Sequence, residues 1–215
     1  MKKFTKVIGS AIGVAAALAL SISTTQAQNL LVDPSFEAPA FGQPNPIPIP
    51  GGVGGGWAAF QGNITAAAAH SGLQSAALWD NSWNPSGVYQ IVNVVPGLPY
   101  TASAWFENAG APSGWGTPFI INLQWDDGAG VQINTVSTGW VADAPVGVWN
   151  QLSVNGVAPV GAAYAELYLM AMNSVPTGAA FYVDDASLTV PEPSSLALLG
   201  IGLGIPFYFI RRRKS

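Results

Sequence analysis

Val88-Tyr89-Gln90-Ile91-Val92-Asn93-Val94-Val95-Pro96-Gly97-Leu98-Pro99-Tyr100-Thr101-Ala102-Ser103-Ala104-Trp105-Phe106 reads as two β-strands joined by a turn. Residues that suit a pleated, half-buried surface dominate both halves, and Pro96-Gly97 supplies the preset φ and the positive φ that a tight reversal uses. In the second half Tyr100, Ala102, Ala104 and Phe106 share one face, while Thr101, Ser103 and Trp105 share the other. That period of two marks a strand with one side in a core and one side wet.

The same reading extends outward in both directions. Short runs of β-branched and aromatic residues, separated by Gly, Pro, Asn and Asp, predict strands over Asn29–Val32, Trp57–Phe60, Ser75–Trp79, Gly87–Val95, Tyr100–Glu107, Phe119–Asp126, Gly130–Ser137, Val148–Val154, Ala163–Ala171 and Ala180–Thr189. No long segment carries a 3.6-residue period, and Ala66-Ala67-Ala68-Ala69 is too short to stand as a helix. Ten short strands in one stretch predict a single all-β domain, a two-sheet sandwich over residues 28–189. Residues 38–56, rich in Pro and then Gly, are too long and irregular for a hairpin and read as an exposed loop.

Charge narrows the function. The chain has 215 residues, of which 8% are charged, and no Cys. All seven Lys and Arg lie in the termini, so residues 28–190 carry ten carboxylates, no Lys or Arg, and a formal charge of −10. Such a surface repels phosphate backbones, which excludes nucleic acid as a partner. With no thiol and a single histidine, His70, structural zinc and histidine-rich catalytic sites are excluded too.

The two ends read as addresses. Residues 1–27 run from Lys2, Lys3 and Lys6 through an apolar stretch to Thr25-Gln26-Ala27, the pattern of a secretory signal peptide cut after Ala27; an uncleaved anchor is the competing reading. Residues 190–215 begin Val190-Pro191-Glu192-Pro193, continue through an uncharged run at 194–210, and end in a basic tail at 211–215. At 1.5 Å per residue that run makes a transmembrane helix of about 25 Å, slightly short of a hydrocarbon core. Basic clusters at both ends should stay cytoplasmic, which turns the middle of the chain outward.

Alternation also selects candidate ligand residues. Phe119, Ile121, Leu123 and Trp125 share one face of their strand, leaving Asn122 and Gln124 on the other. Ala165, Leu167 and Leu169 likewise leave Tyr164, Glu166 and Tyr168 opposite. If these strands and Tyr100–Phe106 share a sheet, Trp105, Asn122, Gln124, Tyr164, Glu166 and Tyr168 form one outer face. Aromatic planes suit the C–H faces of a sugar, and amides or carboxylates suit its hydroxyls. An ordinary half-wet sheet face is the alternative. Eight Trp exceed what one small core needs. Trp57, Trp149 and Trp125 read as packing residues, whereas Trp79, Trp83 and Trp115 sit in loop-like contexts and form a second candidate sugar surface. The acidic pairs Asp126-Asp127 and Asp184-Asp185 have no Lys or Arg to pair with, so they are solvated, partly protonated or bound to a metal, for which calcium is the natural hard partner. His70 reads as a surface residue.

Two resemblances follow from these residues. The tail, with Pro191-Glu192-Pro193, an apolar span and an Arg-rich end in that order, resembles the PEP-CTERM sorting signal. That resemblance implies recognition by an exosortase in a Gram-negative bacterium that makes exopolysaccharide, with signal peptidase acting at the other end. It also implies a transient inner-membrane stage before release to the cell surface, outer envelope or extracellular matrix. Asn29-Leu30-Leu31-Val32-Asp33-Pro34-Ser35-Phe36-Glu37, Gly56-Trp57, the opening stretch, Trp149-Asn150-Gln151-Leu152-Ser153-Val154 and Phe181-Tyr182-Val183-Asp184-Asp185-Ala186-Ser187-Leu188 together resemble carbohydrate-binding modules of families 4 and 9. That likeness implies a jelly roll of the galactose-binding-like type, a polysaccharide ligand, and a structural calcium at Glu37 and Asp184 with Asp185 as a third ligand. The 38–56 insertion and the lack of Lys and Arg depart from the pattern. The expected function is therefore an exported, non-catalytic polysaccharide-binding protein. A structural envelope or biofilm protein without a sugar site is the alternative, and a glycan-active enzyme is a third reading, since no sequence feature selects a catalytic carboxylate pair.

Overall fold

The computed structural model describes residues 27–38, 56–60, 62–65, 67–79, 85–110, 118–141, 145–172 and 180–190. The signal peptide, the sorting motif Pro191, Glu192 and Pro193, the transmembrane segment, most of the 38–56 loop, Trp83 and Trp115 lie outside these residues. Among the described residues no helix is long and apolar enough to cross a membrane.

Among the described residues ten strands form: β1 (Ala58–Phe60), β2 (Gly62–Thr65), β3 (Ser75–Trp79), β4 (Ser86–Asn93), β5 (Pro99–Asn108), β6 (Phe119–Asp126), β7 (Gln132–Ser137), β8 (Trp149–Val157), β9 (Tyr164–Ala171) and β10 (Ala180–Thr189). They make two five-stranded antiparallel sheets, ordered β1-β4-β9-β6-β7 and β2-β3-β10-β5-β8, which pack as a jelly-roll sandwich. The alternation read from the sequence sets what lies between them. Ala102, Ala104 and Phe106 from β5 meet Phe119, Ile121 and Leu123 from β6 in the buried core, together with Leu167 and Leu169 of β9 and Phe181 and Val183 of β10. Phe119 ties the two sheets, with its ring centroid 4.9 Å from Phe106 and 5.4 Å from Phe181.

The Pro96-Gly97 turn is present, with Leu98 N donating to Val95 O at 3.3 Å and Gly97 at φ +82°. It does not close a hairpin. It carries the chain from β4 in one sheet to β5 in the other, and Val95 N donates to Tyr100 Oη at 2.8 Å to hold the crossing. This crossing separates Trp105 from the other ligand residues expected beside it.

Two strand expectations change. Asn29–Val32 is not a strand: it touches the second sheet through an isolated bridge from Asn29 to Thr189. The buried Gln90 side chain holds Val32, accepting from its N at 2.7 Å and donating to its O at 2.9 Å. Asp33 and Phe36 just beyond have φ of 49° and 56°, which breaks any extended run. Conversely, Gly62–Thr65 pairs with β3 although Gly and Asn are poor strand formers; it is a sheet edge, held by its neighbour.

Candidate functional site

The outer face of the β1-β4-β9-β6-β7 sheet is built by register. Tyr89, Tyr168, Asn122 and Ser137 form one cross-strand row, and Ile91, Glu166, Gln124 and Thr135 the next. Asn93, Tyr164 and Asp126 form a third. Side chains on successive rows alternate with the fully buried Leu167, Leu169, Ile121 and Leu123, so the pleat turns them outward. The rings of Tyr89 and Tyr168 stack with centroids 5.2 Å apart and planes 25° from parallel. Phe60 extends the aromatic strip, 6.4 Å from Tyr89. Gly87 makes room for it: a Cβ there would stand 2.6 Å from Phe60 Cζ and 2.8 Å from Leu169 O.

Polar groups on this face are already oriented. Tyr168 Oη donates to Glu166 Oε2, and Gln124 Nε2 donates to Asp126 Oδ1 at 2.9 Å. Burial, followed by the Glu166 carboxylate, pushes the Tyr168 phenol above its ordinary range, so it stays a donor at neutral pH. At the far end lies a cleft of about 340 Å³, lined by Ile91, Asp126, Tyr164, Glu166 and the turn Gly128–Gly130. Asp127 shapes that turn, its Oδ1 accepting from Ala129 N at 2.8 Å and Val131 N at 2.9 Å. The volume is at the small end of ligand pockets. Aromatic planes, fixed acceptors and no Lys or Arg in residues 28–190 together suit a neutral, hydroxyl-rich ligand.

Of the residues expected to share a face, Asn122, Gln124, Tyr164, Glu166 and Tyr168 do so. Trp105 does not, because β5 belongs to the other sheet. Trp79 ends β3 opposite Ala180, also in that other sheet. Tyr89, Ile91 and Asn93 complete the site and were not expected; Asp126, on the same side of its strand as Asn122 and Gln124 by alternation, is buried in the cleft wall. The β4 alternation could have shown the first three, but Gln90, a polar residue turned inward, blurs which of its faces is wet. Trp57 and Trp125 are fully buried as expected, whereas Trp149 is half-buried on an outer face.

The acidic residues Glu37, Asp184 and Asp185 gather around one loop. Glu37 Oε1 accepts from Leu73 N at 2.8 Å and Gln74 N at 2.9 Å. Asp184, fully buried, accepts from His70 N at 2.8 Å, Ser71 N at 3.0 Å and Asp185 N at 2.7 Å. Asp185 accepts from Ser71 Oγ at 2.6 Å, and its Oδ2 lies 2.6 Å from His70 Nδ1. Gly72, at φ +64°, permits this wrapping, since a Cβ would fall 2.2 Å from Glu37 Oε1. A register shift in β10 between Asp184 and Ser187, with Asp185 at φ 45°, aims both aspartates at the loop. Burial pushes the Asp184 carboxyl up to about 6 against the pull of its N–H donors.

Calcium fits this arrangement poorly. A hard cation needs carboxylate lone pairs facing one point, whereas here N–H and O–H donors face both carboxylates of Asp184 and Asp185 and one oxygen of Glu37. Among the described residues no three acidic or histidine side chains converge on a position for a metal. The geometry is that of a carboxylate clamp on a peptide loop. His70 belongs to it: it is exposed, as expected, but its ring is held by stacking on Trp105 at 4.0 Å and 15°.

Comparison with known proteins places both parts. Residues 189–214 match the PEP-CTERM protein-sorting motif. No curated protein matches the sequence. Among solved structures the chain is similar to TmCBM61 in complex with beta-1,4-galactotriose, at 17% identity over 76% of this chain and 99% of that one, with a TM-score of 0.54. It is similar to the CBM22-1 xylan-binding domain from Paenibacillus barcinonensis Xyn10C at 17% identity, 76% and 95% coverage and a TM-score of 0.52. The C-terminal family 22 carbohydrate binding module of Clostridium thermocellum Xyn10B aligns at 20% identity, 78% and 98% coverage and 0.53. At these identities the likeness is one of fold, and it is the jelly roll.

Proposed function

We propose that this chain is an exported, non-catalytic protein whose jelly-roll domain binds a neutral polysaccharide across the outer face of the β1-β4-β9-β6-β7 sheet. The carrying observation is the register that sets stacked Tyr89 and Tyr168 beside Glu166, Gln124 and Asn122, with Tyr164 at the cleft. Three proteins of like fold, named for galactotriose or xylan or as a carbohydrate binding module, support the reading. The absence of Lys and Arg from residues 28–190 points to a neutral glycan, because nothing there offsets a uronate.

Native affinity gels containing soluble xylan, β-1,4-galactan or mixed-linkage β-glucan test this. Retention on at least one is expected. Tyr164→Ala and Tyr168→Ala should each weaken it roughly 2- to 13-fold, the equivalent of about 0.5–1.5 kcal/mol of ring contact. Tyr168→Phe should retain the stack but release Glu166, and so fall between wild type and Tyr168→Ala. Unchanged migration of all forms on the whole panel would overturn the reading in favour of a structural envelope or biofilm protein.

The sorting motif supports export to the cell envelope or surface, with exosortase acting at the tail and signal peptidase at the leader. Placement in an extracellular matrix of a Gram-negative host belongs to the same proposal. Intact mass of protein recovered from the outer surface or medium should show both ends missing, cut near Ala27 and near Pro191-Glu192-Pro193. Arg211–Lys214 still attached to surface protein would exclude that processing.

A further inference from the structure

The opposite sheet also carries a polar and aromatic outer face. Along β5 and β8 the register sets Glu107 beside Trp149, Trp105 beside Gln151, Ser103 beside Ser153 and Thr101 beside Asn155. On β5 these positions alternate with the fully buried Ala102, Ala104 and Phe106, so the pleat turns them outward. From Thr101 to Glu107 the strip runs about 20 Å at roughly 3.3 Å per residue, long enough for several sugar units.

The elements of a sugar surface recur here with a different layout. Two tryptophans stand diagonally across β5 and β8, both half-buried, and Tyr182 of β10 lies opposite Glu107. The faces of the two indoles are not equally available. His70 stacks on Trp105, whereas Trp149 meets the same imidazole at 65° and 5.5 Å, so it is not sealed by a parallel ring. Beyond the indoles, Gln151, Ser153 and Asn155 are exposed, and Thr101 Oγ1 donates to Asn155 Oδ1 at 2.6 Å, which fixes that amide. Partial burial beside Trp149 desolvates the Glu107 carboxyl and pushes it above its usual range.

From this geometry we infer that the β5–β8 strip is a second contact surface for neutral polysaccharide, so that one domain engages two glycan chains on opposite sides and cross-links them. The inference rests on the polysaccharide-binding reading of the first face. The occupant is neutral for the same reason: the strip holds a carboxylate and residues 28–190 hold no Lys or Arg. The two faces point away from each other across a sandwich whose sheets are about 10 Å apart. Chains on the two faces are therefore held apart, and bivalence in a single domain raises avidity without an oligomer.

Light scattering from soluble xylan, β-1,4-galactan or mixed-linkage β-glucan, titrated with protein shown to be monomeric by sedimentation, reads the second site directly. Wild type should raise the scattering, and calorimetry should report two sites per protein. Trp149→Ala should abolish cross-linking and reduce the stoichiometry to one, while retention in the affinity gel changes less than about threefold. The Gln151→Ala/Ser153→Ala variant, which trims only exposed side chains and leaves folding intact, should weaken cross-linking in the same direction. Tyr168→Ala should lose cross-linking as well, but with reduced retention. Retention of wild type without cross-linking, or cross-linking unaffected by both β8 variants, overturns the second surface and leaves the first standing. No retention on any of the three glycans overturns both.

Discussion

Trp57→Ala lowers the stability of the domain by about 3–5 kcal/mol, the range for removing a large buried aromatic. Trp57 is fully buried, its ring centroid lies 4.8 Å from that of Phe36, and its Nε1 donates to Asp33 O at 2.8 Å. The substitution removes the burial, opens a cavity against Phe36 and strips one donor from a carbonyl in the strained segment where Asp33 and Phe36 have positive φ. Trp57→Phe should restore much of the packing and leave a loss of about 1 kcal/mol, the net value of one hydrogen bond. Urea midpoints read both. Trp149→Ala, on the outer face, should cost clearly less than Trp57→Ala; equal losses would mean that the indole of Trp149 carries core packing.

Mild acid should stabilise this domain, and stability should fall as pH rises from about 4 towards 7. The sign follows from Asp184, whose folded carboxyl is raised to about 6 by burial, against roughly 3.9 in an unfolded chain. Below both values the folded form holds its proton at no disadvantage. Between them the unfolded chain releases its proton while the folded one keeps it, so each step up in pH favours unfolding until the folded group ionises near 6. Two pK units correspond to about 2–3 kcal/mol. Asp33 and Glu107, also raised chiefly by burial, act in the same direction. Urea midpoints across pH 4–7 should therefore decline for wild type. Asp184→Asn should flatten the decline, at the cost of facing an amide N–H towards a backbone donor. A midpoint that climbs from pH 4 to 7, or a slope identical in the variant, would remove Asp184 as the cause.

The alternation along β5, β6 and β9 was enough to sort inward from outward residues, and β6 and β10 begin and end where the apolar runs do. Asn122, Gln124, Tyr164, Glu166 and Tyr168 were legible as wet for the same reason. The tail was legible without any fold, since charge, apolar length and their order define a sorting signal locally.

Which strands are neighbours was not legible. A period of two encodes the side of a sheet a residue faces, but Val95-Pro96-Gly97-Leu98-Pro99 has the same local chemistry whether it closes a hairpin or crosses between sheets. The crossing sends Trp105 to the far side of the sandwich and brings Tyr89 of β4 beside Tyr168 of β9 instead. The clamp was equally hidden: it joins His70 to Asp184 and Asp185 across more than a hundred residues, and its donors are backbone N–H groups that every residue but proline carries. Periodicity in the chain therefore determined the strands and their wet faces, whereas long-range pairing decided which wet residues meet, because hydrogen-bonded register exists only between strands already brought together.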